Sequence, residues 1–332
     1  MKNLFKMLSV LLVLGLVLAG CTPAAPATVE PVVEEKPLRI AIVTPSNIND
    51  LAFSQSISDA MKVLKGEMGD KLEYVYSENM FVVDDAAAAI RDYAQKGYDI
   101  VIAHGSQYGS SLQEIAPDFP KTVFAWGTTV DTFGQPNIHA YEAASDQGGF
   151  VNGVMAGMLT KTKVIGVVGP IETGDAKLYI DGFVAGVHSV DPTIDVRVTY
   201  IGSFSDVALA SEAATTHLSA GADVLTGSAQ MVIGAIGKAQ EAGAYWFGTQ
   251  ADQTSFAPDV VVASQVYHWE VIFREIFALR AEGVMGGKTF SANLKNGGQV
   301  IKINDGLTLD QAVLDKANET IKGIVDGTVT IP

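Results

Sequence analysis

The chain has 332 residues, of which 48% are apolar and 18% charged, and its 37 acidic residues outnumber the 22 basic ones to give a net charge of −15. This composition excludes a disordered chain, and the negative charge disfavours binding to nucleic acid or to anionic lipid. The single cysteine excludes a disulfide framework and any multi-cysteine metal site.

The first 20 residues combine two early lysines with an apolar run and small residues directly before Cys21. This run is shorter than the ~20 residues that a membrane-spanning helix needs, so the segment is predicted to be a secretory signal. Residues 18–21 resemble the bacterial lipobox, in which the cysteine thiol is lipidated and the chain is cleaved directly before that cysteine. We therefore expect a signal peptide over residues 1–20, a lipid on Cys21 and an extracytoplasmic location.

Residues 21–37 contain four prolines and show no hydrophobic period. Proline-rich segments stay extended and cannot join a sheet. At ~3 Å per residue such a segment would hold a folded body up to about 45 Å from the lipid surface. The sequence predicts a tether here.

From Leu38 onward, short runs rich in Val and Ile alternate with amphipathic stretches, which indicates strand-helix-strand units around a parallel sheet. The predicted strands of the first half are Leu38–Thr44, Leu72–Tyr76, Asp99–His104 and Thr122–Trp126. The predicted helices of the first half are Phe53–Lys65, Ala86–Gln95 and Ser110–Ala116.

The same alternation begins again near Lys163. The predicted strands of the second half are Val164–Gly169, Val196–Gly202, Asp223–Gly227, Tyr245–Gly248 and Val260–Val266. The predicted helices there are Ala176–His188, Val207–Ala220 and Val232–Glu241. This predicts an α/β fold of two doubly wound lobes, and small polar residues follow several strands, where ligands of open α/β sheets bind.

Motifs along the whole mature chain resemble those of type I periplasmic binding proteins, and among them the BMP family of lipoproteins that includes purine nucleoside receptors. The resemblance rests on Asn49-Asp50, Phe53-Ser54-Gln55, Gly148-Gly149-Phe150, Ala156-Gly157, Thr160-Lys161-Thr162, Asp181-Gly182-Phe183, Gly186, Gly202-Ser203-Phe204-Ser205-Asp206, Gly221-Ala222-Asp223-Val224, Gly248-Thr249-Gln250-Ala251-Asp252-Gln253, Ala257-Pro258, Ile324–Gly327 and Ile331-Pro332.

The resemblance implies central parallel sheets, a hinge of three crossings, and a ligand handed to the permease and ATPase of an ABC importer. It implies a helix over Asp146–Leu159 that begins just after one crossing, with another crossing near Gln250. We expect residues 38–143 and 251–290 in the first, N-terminal lobe, and residues 144–250 and 291–332 in the second. These lobe boundaries are approximate. We expect the protein to be a monomer.

Candidate ligand contacts begin in the turn after the first strand. Asp50 fits a helix cap and a ligand contact equally well, and Asn49 lies beside it. Phe53 could be a core residue, but the resemblance implies an aromatic side chain here that stacks on a flat ring. Ser106 follows the strand that ends at His104, and we expect it to reach the cleft.

Phe204 follows a strand and is flanked by small residues, so it either fills the core of its lobe or forms the second side of an aromatic sandwich. Gln250 departs from the resemblance, which implies an acidic residue for ribose hydroxyls at this position. An amide can instead read the edge of a neutral heterocycle. Asp252 is either the remaining acidic contact or a turn cap.

Tyr267-His268-Trp269 stands where the resemblance implies a lysine. This favours a BMP subgroup with a tryptophan there, for which a free purine base such as adenine is a plausible ligand, and it makes Tyr267 a further candidate contact. The five histidines show no metal-ligand spacing, and phosphate-loop, nucleophile-elbow and dinucleotide fingerprints are missing from the sequence. We expect neither a metal nor a cofactor.

These observations predict a lipid-anchored, non-enzymatic receptor for a purine base or nucleoside. Two alternatives remain: a lipoprotein that senses a ligand and signals to a membrane partner, and a receptor for another heterocycle such as a flavin or thiamine. A nucleoside hydrolase is the least favoured hypothesis.

Overall fold

The structure is a computed structural model that describes residues 36–332. The predicted signal peptide, the lipidation site at Cys21 and all but the last two residues of the tether lie outside the described residues. Within the described part, two six-stranded sheets form the centres of two α/β lobes.

The first lobe begins with an alternation of strands and helices and is completed by a later segment of the chain. Its elements are β1 Leu38–Val43, α1 Phe53–Met68, β2 Leu72–Ser77, α2 Val83–Gln95, β3 Ile100–His104, α3 Gly109–Ile115, β4 Val123–Gly127, β5 Ile138–Ala143, and then α8 Glu270–Ala281 and β11 Thr289–Ala292. All strands in this sheet are parallel, in the order β11-β5-β4-β3-β1-β2.

The second lobe repeats this architecture. Its elements are α4 Ser145–Leu159, β6 Val164–Gly169, α5 Gly174–Val190, β7 Asp195–Tyr200, α6 Val207–Ser219, β8 Val224–Gly227, α7 Val232–Ala242, β9 Tyr245–Gln250, β10 Val261–Tyr267, β12 Gln299–Ile303 and α9 Gln311–Val325. The strand order is β12-β10-β9-β8-β6-β7, and β12 alone runs antiparallel to its neighbour. The two-lobe α/β fold predicted from the sequence is confirmed.

The chain passes between the sheets three times, at residue 144, at residues 268–269 and at residues 293–298. Residues 251–267 therefore differ from the expected assignment to the first lobe. Strand β10 hydrogen-bonds to β9 in parallel and to β12 in antiparallel register, which places it in the second sheet. The crossing expected near Gln250 comes after Tyr267 instead.

Each sheet is covered on both faces, which explains why the central strands are continuous apolar runs. All five residues of β3 are buried, whereas the edge strand β2 has only its first residue buried. Helix α1 buries Ile57, Met61 and Leu64 against one face of the first sheet, at the spacing of a single helix face. Helices α2 and α3 cover the opposite face.

Glycines allow α4 and α5 to approach closely, and this contact positions the start of α5. A Cβ on Gly153 would lie 2.1 Å from the carbonyl oxygen of Phe183, and one on Gly186 would lie 2.1 Å from that of Phe150. Any larger residue at these positions would separate the two helices. This backbone packing fixes the path of α5, the helix whose first turn carries Asp175.

Candidate functional site

A cavity of about 250 Å³ lies between the two lobes, where the carboxyl ends of both sheets meet. Ligand pockets of roughly 300–1,000 Å³ suit drug-sized molecules, so this volume suits a small ligand. Each lobe contributes seven lining residues. Those of the first lobe are Pro45, Phe53, Phe81, Gly105, Ser106, Gln107 and Thr128, and those of the second are Thr173, Asp175, Ala176, Phe204, Ala229, Gln230 and Gln250.

Three aromatic rings line the cavity. Phe53 comes from the first turn of α1, Phe81 from the loop after β2, and Phe204 from the loop after β7 on the opposite lobe. The sequence patterns single out Phe53 and Phe204 but not Phe81. With 49% of its surface exposed, Phe81 lies at the edge of the cavity.

His104 supports the ring of Phe53 from behind. Its ring nitrogen Nδ1 is 2.7 Å from the hydroxyl of Tyr141, and Nε2 is 3.2 Å from the carbonyl oxygen of Phe53. Since a carbonyl can only accept, Nε2 carries the proton and Nδ1 accepts from Tyr141. Complete burial lowers the pKa of His104 to about 3, so the imidazole is neutral near pH 7.

Gln250 ends β9 and lies in the wall of the cavity, with 2% of its surface exposed. Its φ of 73° is in the left-handed region, as is the φ of 77° of Ala229, another lining residue. Such conformations are uncommon for non-glycine residues and are often found at binding sites. Two strand-end turns therefore adopt unusual backbone conformations at this cavity.

Asp175 contributes a carboxylate that no sequence motif singles out. Its Oδ2 accepts hydrogen bonds from Gln250 Nε2 and from the hydroxyl of Tyr267, each at 3.3 Å. Burial raises the pKa of Asp175, while these two hydrogen bonds and the backbone amides at the start of α5 partly oppose that effect. An acidic group thus lies beside residue 250 although residue 250 itself is an amide.

The remaining predicted contacts occupy other positions. Ser106 is exposed and lines the cavity, as expected. Tyr267 is buried away from the cavity but reaches its wall through Asp175, and its hydroxyl is also 2.8 Å from Ser145 Oγ. Asn49 is exposed and does not line the cavity.

Asp50 lies two residues before Ala52, the N-cap position of α1, and its carboxylate satisfies backbone amides of the first turn of the helix. Its two carboxylate oxygens accept from the backbone amides of Ser54 and Gln55 at 3.1 and 3.0 Å, and Oδ2 is 2.5 Å from Ser46 Oγ. The carboxylate of Asp252 is also engaged within the protein, because it forms an ion pair with Lys302 Nζ at 2.9 Å and accepts a hydrogen bond from the backbone amide of Thr254 at 3.0 Å. Neither aspartate lines the cavity.

The electrostatics of the cleft disfavour anions. Among the described residues that line the cavity, none is lysine or arginine. A neighbouring space of about 300 Å³ shares Thr128 and Asp175 with it and is also lined by Glu142 and by Lys177 and Asp181, which form an ion pair at 2.7 Å. Burial raises the pKa of Glu142, and the nearby charges of Asp146 and Asp175 raise it further. The linings of the two spaces together contain three carboxylates and one lysine, which is already paired, so an anionic phosphate group is disfavoured here.

Residues 36–332 contain no cluster of three or more His, Cys, Asp or Glu side chains that could hold a metal ion. Within the same residues, every helix is too short or too polar to cross a bilayer.

The profile of the Bmp family, described as "ABC transporter substrate-binding protein PnrA-like", matches residues 38–332. A purine-binding protein of Brucella abortus (strain 2308) is 27% identical over 260 residues, which cover 78% of this chain and 72% of that protein. An ABC transporter nucleoside-binding protein of Lactococcus lactis subsp. cremoris is 27% identical over 317 residues, with 89% of each chain covered.

Solved structures show the same fold. The solute-binding protein of an ABC transporter system from Conexibacter woesei superposes with a TM-score of 0.73 at 21% identity, covering 89% of this chain and 98% of that one.

Proposed function

The chain belongs to the Bmp family of PnrA-like ABC transporter substrate-binding proteins, and we propose that it captures a purine-like small molecule, a free base such as adenine or a nucleoside, in the cavity between its lobes. The observation that carries this proposal is that Phe53 of one lobe and Phe204 of the other line the same cavity, together with amide and carboxylate side chains. The ligand is bound and released without covalent change.

Stacking on aromatic side chains contributes about 1–3 kcal/mol per base and requires a flat ring. The ring of Phe53 is already fixed by its stacking on His104, so ligand binding does not have to order this side chain. Phe204 belongs to the other lobe, so a ring held by both phenylalanines would stabilise a closed arrangement of the lobes.

Hydrogen bonds between the ligand and the polar side chains of Ser106, Gln230, Gln250 and Asp175 would distinguish a heterocycle from an apolar ring of similar size. The carboxylate at Asp175 and the absence of lysine and arginine from the described lining favour a neutral ligand over a nucleotide. The names of the Brucella and Lactococcus relatives, which refer to purine and nucleoside binding, support the same ligand class.

The proposal extends to the anchored transport system. A lipid on Cys21 and the tether of residues 21–37 would hold the receptor on the extracytoplasmic face of the membrane, where it would deliver its ligand to an ABC permease and its ATPase. The lipobox residues and the family membership support this arrangement.

A thermal-unfolding screen of the full chain in mild detergent tests the ligand class. Adenine, guanine, adenosine and inosine are compared with riboflavin, thiamine and glucose. A ligand present at 100 times its Kd stabilises the folded state by about 2.7 kcal/mol, which raises Tm by several degrees. We expect purines alone to raise Tm, and a response to riboflavin or thiamine alone would reject the purine assignment.

A further inference from the structure

We propose that Asp175 is a positioning residue that fixes the side-chain amide of Gln250, so that the cavity presents hydrogen-bond acceptors and selects heterocycles that carry N–H donors. This inference rests on the proposed function and specifies its ligand class. It begins from the 3.3 Å hydrogen bond between Gln250 Nε2 and Asp175 Oδ2.

An amide side chain has a donor end and an acceptor end of nearly the same shape, and only its neighbours decide which end faces a ligand. An ionised carboxylate accepts and cannot donate. Asp175 therefore selects the nitrogen end of Gln250. The hydroxyl of Tyr267 donates a hydrogen bond to the same carboxylate oxygen, and this hydrogen bond favours the ionised form of Asp175.

The opposite end of the amide is consequently the acceptor. Gln250 Oε1 is buried and has no hydrogen-bond partner among the described residues, although it belongs to a residue of the cavity wall. Gln230, which lines the same cavity, also has a buried Oε1 without a partner in the described part of the chain. A buried acceptor without a partner is unfavourable until a donor reaches it.

A ligand with N–H groups on its edge would supply such donors, whereas a ligand of the same shape without them would leave both oxygens unpaired. The difference expected from one such group is about ten- to hundredfold in Kd. Adenine and 6-methylpurine are suitable probes, because the methyl group replaces the exocyclic amino group at similar size and removes its two N–H donors.

The test is the ratio of the Kd values of 6-methylpurine and adenine, measured by calorimetry on the full chain. The wild type is expected to prefer adenine by at least tenfold. In Asp175→Asn the neighbouring amide can pair with either end of Gln250, so the ratio should fall toward one. Gln250→Met, which removes both ends of the amide, should have the same effect.

Asp191→Asn is the matched control, because this carboxylate directly follows the last residue of the same helix, pairs with Lys163 Nζ at 2.8 Å and lines neither the cavity nor the neighbouring space. It should keep the preference of the wild type. A preference that is unchanged in both Asp175→Asn and Gln250→Met would overturn the role of Asp175 and leave the receptor proposal standing. A wild type that binds no purine would overturn both proposals.

Discussion

The imidazole of His104 stacks on the ring of Phe53, with ring centroids 3.9 Å apart and planes inclined by 9°. The same imidazole is 3.2 Å from the backbone carbonyl of Phe53 and is itself held by Tyr141. One buried histidine at the end of β3 thus fixes both the backbone and the ring of a residue that lines the cavity. The aromatic surface offered to a ligand is ordered before binding.

Replacing Phe53 by Ala is expected to weaken the binding of adenine by about 10- to 100-fold, because a stacking contact of about 1–3 kcal/mol is lost. Phe204→Ala should weaken it by a similar factor. Calorimetric titration measures both. Phe256→Ala is the control, since Phe256 is 37% exposed and lies outside the cavity lining. Equal affinities in all three variants would contradict a stacked ligand.

His104 predicts a dependence of stability on pH. Because its pKa in the folded state is about 3, below the unfolded value of about 6.5, the unfolded chain binds the proton more tightly. Its contribution to stability is complete above pH 6.5 and is lost as the pH falls toward 3, by up to about 1.4 kcal/mol per pH unit.

Urea unfolding between pH 7 and 4 measures this loss. His104→Asn removes the titrating ring, so its free energy of unfolding should fall less steeply with decreasing pH than that of the wild type. Parallel curves for the two proteins would show that His104 does not resist protonation.

For Asp175 we expect the opposite pH dependence of stability from that of His104. Burial raises its pKa in the folded state, so its ionisation costs stability as the pH rises above the unfolded value of about 3.9. Asp175→Asn should therefore unfold at equal or higher urea concentration than the wild type at pH 7, while binding adenine less selectively. A large loss of stability would indicate that the carboxylate serves mainly to hold the fold.

The affinity for the ligand should also depend on the protonation state of Asp175. When the pH falls through its raised pKa, the protonated carboxyl gains a donor and no longer requires the nitrogen end of Gln250. The affinity for adenine should fall between pH 7 and 4 more steeply in the wild type than in Asp175→Asn. Protonation of adenine itself affects both proteins equally, so the difference between them reports on Asp175. Glu142 and Asp146 also face this region, and burial raises the pKa of each. The pH profile of Glu142→Gln separates the effect of Glu142 on ligand affinity from that of Asp175.

The contact between α4 and α5 predicts a stability change at Gly153. A methyl group there would lie 2.1 Å from the carbonyl oxygen of Phe183, so Gly153→Ala should reduce the free energy of unfolding by about 1–3 kcal/mol. Gly237→Ala is the matched control, because Gly237 is also inside a helix but a methyl group there would meet no atom within 4 Å. This control should stabilise the protein by roughly 0.5–1 kcal/mol. Equal effects would contradict the close packing of the two helices.

The alternation of apolar strands and amphipathic helices was enough to predict most elements of both lobes from the sequence. It could not assign β10 to a lobe, because the residues of a buried strand do not specify which sheet supplies its neighbours. The register of β10 with β9 and β12 depends on contacts between distant parts of the chain. The sequence patterns do not predict strand β5, the short edge strands β11 and β12, or the helices α8 and α9.

Asp50 and Asp175 show why the site was only partly predicted. Both are acidic residues close to the start of a helix that follows a strand, and both fit a helix cap. The oxygens of Asp50 are occupied by residues within five positions along the chain. Oδ2 of Asp175 accepts hydrogen bonds from Gln250 and Tyr267, which are 75 and 92 positions away. Only the folded structure distinguishes the two.

The central claim is that Phe53 and Phe204 hold a purine between the lobes, and calorimetric titration of adenine into the wild type and the double variant Phe53→Ala/Phe204→Ala tests it most directly. We expect saturable binding at one site per chain in the wild type and loss of measurable binding in the folded double variant. Undiminished binding in the double variant, or a wild type that gives no saturable heat with adenine or with any other purine base or nucleoside, would contradict the claim.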